Sequence, residues 1–292
     1  MTNQQIKSSP FIAPKAPELL YARELWGLIK AMMKDYQELI DLYKDKRAQI
    51  AVDARKPERK RVSTASGKVW LSTQATAKLK ALGEKWEKVF TEYAETHAPR
   101  YVEKLLKQSD SQIKAKLGDM LGKRMELIGA TVPIALRQTM NAHIAENIAL
   151  IKSIPQQNLL KVQESLYRCL SGGLPVKQFR QDILKAGAKD LRRATLIAND
   201  QTRKIYQNLT LRRFQQVGIQ KAEWFHVHCK YPREYHRRRW DGISGKRDGH
   251  PNGLNGFIFN IDNPPIIDEK TNVRGYPGYL IGCKCRMRAI ID

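Results

Sequence analysis

Acidic residues are scarce relative to basic ones, cysteine is sparse, and no long apolar run occurs. The 292-residue chain has 29 Asp and Glu against 52 Lys and Arg, a formal charge of +23. Self-repulsion on that scale makes a polyanion the first partner to expect, with nucleic acid foremost. No uninterrupted apolar stretch reaches the roughly 18 residues needed to cross a bilayer, and Met1 to Pro17 has no apolar h-region of the secretory type. The expectation is a soluble intracellular chain with no membrane partner. The cysteines number 4, three of them (Cys229, Cys283, Cys285) in the last quarter, which is a poor fit to a secreted disulfide framework. They point to metal ligation or reduced thiols. No phosphate-cradling glycine loop, nucleophile triad or cofactor fingerprint is found.

What is present is globular, at 42% hydrophobic and 28% charged, and mainly helical in period. After an extended lead over residues 1–17, apolar positions fall at Leu19, Ala22, Trp26, Ile29, Met33, Tyr36, Ile40 and Tyr43. A second seam follows at Ala75, Leu79, Leu82, Trp86, Val89 and Tyr93, with Ser72 or Thr73 as its cap and Pro99 beyond its end. These steps of three and four predict a long helical hairpin over 18–110, and each seam must bury itself against a partner. The other helix is one such partner and another copy of the chain is a second. In the second case Trp26, Ile29, Met33 and Tyr36 are partner-binding residues.

Between the seams, 51–71 reads as a basic loop in which Arg55, Lys56, Arg59, Lys60 and Arg61 are candidate DNA-binding residues. A solvated charged surface accounts for the same run. Residues 221–292 carry net +5, so +18 falls on the first 220 and DNA contact is expected there.

A helical core is predicted over 111–220. Ile144, Ile148 and Ile151 share a face before Pro155, and Leu159, Val162, Leu166 and Leu170 continue to Gly172. A short helix at Val176, Phe179 and Ile183 precedes a long one from Leu191 to Phe214, closed by Gly218. Asn199, Asp200, Gln201 and Arg203 read as a structural polar cluster. From Lys221 the period becomes two, and 221–292 is predicted as a small, loop-rich, short-stranded module. The fold class is thus mainly α with a small C-terminal α+β module.

Several segments resemble the Mu F-like minor head proteins of the phage head morphogenesis family. They are NIALIKSIPQQNLLKVQESL from Asn147, RRATLIANDQTRKIYQNLTLRRFQQVGI with the following EWFHVH, PREYHRRRWDG, and PPIIDEKTNVRGYPGYLIGCKC. Their order and spacing agree over roughly residues 115–292. Gly282 stands where the family has Asn, and Lys284 replaces the Arg between the cysteines. The resemblance implies a non-enzymatic structural protein of the virion, at the portal vertex or capsid interior, made in the host cytoplasm. Its implied partners are the portal protein, packaged double-stranded DNA, scaffold or major capsid protein, and other copies of itself.

The soft ligands of the last module suggest a structural zinc held by Cys229, His236, Cys283 and Cys285, with His226 or His228 able to replace one of them. Reduced, partly buried thiols are the alternative. A different class of function is a metal-dependent nuclease using His236, Asp241, His250, Asn252 and Asn255.

Overall fold

The computed structural model describes residues 6–41, 64–172, 176–227, 229, 231–241 and 251–291. Its long helices are α1 (Lys15–Asp35), α2 (Thr64–Leu121), α3 (Ile134–Gly172) and α4 (Val176–Gln216), and among its short helical turns is α5 (Glu234–Arg237). Its strands are β1 (Ile6–Lys7), β2 (Lys221–Phe225), β3 (Ile258–Asn260), β4 (Ile266–Asp268), β5 (Val273–Arg274) and β6 (Arg286–Ile291). The protein is mainly α with a small antiparallel C-terminal module, as its periodicities predict.

The long helices outrun their punctuation. The expected start at Ser72 or Thr73 lies inside α2, which already begins at Thr64, and Pro99 sits within the helix instead of ending it. An interior proline costs about 3 kcal/mol. The apolar period runs on through Ala94, Ala98, Tyr101, Val102 and Leu105, all buried, and burial of such side chains at roughly 1.5–3 kcal/mol each outweighs that cost. Likewise the expected short helix at Val176 and the long one after Leu191 are a single helix, α4. Gly187 lies within it because a Cβ there would come 2.8 Å from Met33 Cε. It is a point of close approach, not a break.

The chain divides into two compact units, each discontinuous in sequence: residues 1–20, 98–146 and 198–292 in the first, 21–97 and 147–197 in the second. The boundaries expected at 110 and 220 therefore do not separate the spatial units. A helix of 58 residues, at about 1.5 Å per residue, is longer than one small core is wide. A division counted along the chain falls inside it.

In the second unit, α1 and α2 run antiparallel. Glu24 accepts from Tyr93 Oη at 2.8 Å, and eleven residues further along α1 Asp35 accepts from Trp86 Nε1 at 3.1 Å. The predicted hairpin is present, and α3 and α4 complete its packing. Tyr21 Oη donates to Asn147 at 3.0 Å, and Trp26 Nε1 lies 3.1 Å from both Leu191 O and Thr195 Oγ1. Ile29 and Tyr36 are fully buried. Of the four candidate partner residues, Ile29 and Tyr36 are therefore core residues, not partner-binding ones. Met33 packs beside Gly187 and Asn158. Trp26 alone keeps substantial exposure, 38%.

In the first unit the sheet order is β1-β6-β2-β3, all antiparallel, with β4 and β5 as a separate hairpin. The lead is thereby tied to the far end of the chain: Ile6 faces Ile291 and Lys7 faces Ile290, and Phe11 N donates to Met287 O at 3.0 Å. Too little apolar mass lies in the strands alone to make a core, so helix ends supply the rest. Leu117, Leu121, Phe214 and Val217 pack with Trp224, Phe259, Met287 and Ala289. Arg213, 1% exposed, is held by both Asp110 oxygens at 2.7 and 2.9 Å and by Gln216 and Thr131 O. That arrangement meets the condition under which a buried charge is tolerated.

Candidate metal centre

Three short segments of the first unit bring His236, Cys283 and Cys285 together. The single turn of α5 points His236 inward, 2% exposed, with its ring edge-on to Trp224 at 5.0 Å. Cys283 and Cys285 flank Lys284 on the segment that feeds β6. Residues two apart in an extended chain share a side, so both sulfurs are buried while Lys284 is exposed. Just before them Gly282 takes φ 73°, with its N–H donated to Asp200 Oδ1 at 2.7 Å. Gly adopts this left-handed conformation most readily.

His236 Nδ1 lies 3.6 Å from each cysteine sulfur, and His226 Nδ1 lies 3.5 Å from Cys285 Sγ. A tetrahedral zinc with bonds of about 2.3 Å to sulfur and 2.05 Å to nitrogen separates those two ligands by about 3.6 Å. The ligand atoms of His236, Cys283 and Cys285 all fall within 4.8 Å of one another, so the three could hold a metal ion. On its other side His236 Nε2 is 2.8 Å from Ile267 O. A carbonyl only accepts, so Nε2 carries a hydrogen and Nδ1 is the ring nitrogen turned toward the sulfurs. Such a backbone acceptor behind a histidine is the usual support of a metal ligand.

The thiols polarise one another. Cys283 is held well below the ordinary thiol range because Cys285 donates to its sulfur, with His236 adding to the effect against burial. Cys285 is pushed up by that same hydrogen bond, by burial and by the charge of Cys283. A bound divalent cation would hold both as thiolates.

The fourth expected ligand is not part of this group. Cys229 is only half-buried and stands apart from the three, because β2 ends at Phe225 and the alternation does not carry the chain inward beyond His226. His226, 5% exposed and anchored by its N–H to Asn255 Oδ1 at 3.1 Å, is the residue beside Cys285 instead. His228 and the basic residues Arg55, Lys56, Arg59, Lys60 and Arg61 lie outside the described residues. So does His250 of the nuclease set. Within that set Asn252 bonds an exposed Asp241, Asn255 serves His226, and His236 is buried with both ring nitrogens engaged.

Sequence reading placed Asp200 in a polar cluster without a task. It anchors the cysteine segment through Gly282, and burial raises its carboxyl against that hydrogen bond. One turn away on α4, Lys204 Nζ donates to Glu146 at 2.7 Å. Glu146 is drawn from an ordinary 4.5 to about 2, first by its hydrogen bond with His143 and then, against burial, by Lys204 and Gln201. Polar residues at helical spacing were the only available signal; what they bind is not adjacent in sequence.

No family model matches the chain, and no solved structure matches it. It is similar to an uncharacterized protein of Haemophilus influenzae (strain Rd), with 27% identity over 287 residues, 98% of this chain. The chain spans 56% of that protein's length, about half of the curated relative it matches.

Proposed function

We propose that this chain is a structural minor head protein of a tailed bacteriophage, acting at the portal vertex and capsid interior during head assembly, and that its C-terminal module is stapled by a zinc ion. One observation carries the reading. The segments on which the family resemblance rests supply Asp200, Trp224, His226, His236, Gly282, Cys283 and Cys285, and these side chains and backbone groups meet at one buried cluster. Motifs so far apart in sequence make sense together as the parts of one structural module. The zinc ligands would be His236, Cys283 and Cys285, with His226, beside Cys285, as the candidate for a fourth that would close the set and favour structure over turnover.

Copurification with portal rings from procapsids tests the assembly role. Retention at a fixed ratio to portal is expected; recovery only in the soluble fraction of infected cells overturns it. Incubation with duplex DNA and Mg²⁺ or Zn²⁺ separates the nuclease class, since cutting abolished by His236→Ala would replace the structural reading.

A further inference from the structure

Next to the cysteines, the first unit holds a cleft of about 250 Å³ between the lead into α1, the helix α4 and the segment entering β6. Its polar lining is Lys15, Glu18, Arg203, Gln207, Lys284 and Arg286, four cations against one acid. Glu18, 3% exposed, is shared by Lys15 at 2.6 Å and Arg203 at 3.6 Å. Glu18 neutralises one charge, and Asp200, within electrostatic reach of Arg203, offsets part of another, which leaves Lys284 and Arg286 uncompensated. Lys284 and Arg286 make no ion pair among the described residues. Lys116, by contrast, is engaged, its ammonium bonding Pro10 O and lying 4.8 Å over the Phe11 ring.

A guanidinium does not shed its proton at neutral pH, so this crowding is not relieved by deprotonation. An anion relieves it. Planar forks of N–H donors match a tetrahedral oxyanion two bonds at a time. The volume lies below the roughly 300–1,000 Å³ of sites for drug-sized ligands, which suits one phosphate group better than a whole nucleotide. We propose that this cleft binds a single phosphate-class oxyanion, held by Arg203 and Arg286 with Lys15 and Lys284 at its exposed rim. Free phosphate and the phosphodiester of nucleic acid share that chemistry. The site would place anion contact on the C-terminal module as well as on the basic loop, and it does not depend on the head-protein reading.

Titration calorimetry of the full chain with inorganic phosphate, in chloride buffer of low ionic strength, tests the proposal. Saturable binding at one site is expected, weakened at least about tenfold by Arg286→Gln, as loss of a charge-assisted fork requires. Replacing Arg55 and Lys56 with Ser should leave it unchanged. Absence of saturable binding, or equal binding by a folded Arg286→Gln, overturns the site. Should that variant fail to fold, Lys284→Glu alters only an exposed side chain at the rim; it should abolish phosphate binding, and undiminished binding overturns the site equally. A short DNA duplex distinguishes the sources. Displacement of phosphate by DNA, with a flatter salt dependence in Arg286→Gln, supports a nucleic-acid phosphate. DNA affinity unchanged in that variant while phosphate binding is lost supports free phosphate. Portal copurification is read separately, so either proposal can fail alone.

Discussion

His236 carries its hydrogen on the nitrogen facing Ile267, and this decides what the opposite nitrogen can do. With Nδ1 facing two sulfurs at 3.6 Å, protein purified without chelator is expected to carry about one zinc per chain. His236→Ala and Cys283→Ser should each lose it, whereas Cys229→Ser should keep it; elemental analysis decides. Thiolate ligands compete with protons, so the metal should leave as pH falls. Glu146 gives a second test by pH. Its carboxyl is near 2 in the folded chain against an ordinary 4.5, so the unfolded chain binds more protons between those values. The stabilisation it contributes is complete above about 4.5 and is lost as pH falls toward 2. Glu146→Gln should thus unfold at lower urea than the parent at pH 6, and the two midpoints should converge near pH 2.

At the scale of elements, residues 238–240 and 253–257 are held together by backbone hydrogen bonds that need a bare glycine. Asn255 N donates to Arg238 O at 3.1 Å and Trp240 N to Asn255 O at 2.9 Å, while a Cβ on Gly253 would fall 2.3 Å from Arg238 O. Backbone cannot swing aside as a side chain can. Gly253→Ala should therefore destabilise the first unit by about 1–3 kcal/mol and loosen Asn255, which anchors the His226 N–H. Hydrogen exchange of the His226 amide should rise before that of α4. The helices obey the opposite logic. Pro99 and Gly187 are tolerated within them because the apolar period continues on both sides, and Gly187 meets only the flexible end of Met33.

For the whole molecule, Ile29 and Tyr36 of the first seam are core, while Leu19 and Trp26 of the same seam stay exposed. Ile29 is fully buried, so Ile29→Asp would bury an unpaired charge. Its thermal midpoint should drop far more than that of Ile29→Val, which removes one methyl group at about 0.5–1.5 kcal/mol. A head lacking the Ile29→Asp protein would consequently report unfolding, and portal association has to be tested with residues outside the core. Both variants can be compared by calorimetry before any assembly assay.

Periodicity alone determined the class of fold, because a stripe repeating every three or four residues has few ways to leave water and the change to period two from Lys221 marks a strand. It also placed His236, Cys283 and Cys285 in one small module, since soft ligands concentrated near the C-terminus are visible in composition. Tertiary structure decided the rest. That Ile6 pairs with Ile291, that Asp200 holds Gly282, and that His226 and not Cys229 stands beside Cys285 are contacts between residues up to 285 positions apart. No local pattern encodes such distances; they follow from which apolar faces close on one another. The ends of the long helices were misread for the same reason, since proline and glycine state a local cost while the burial that outweighs it comes from elements remote in sequence.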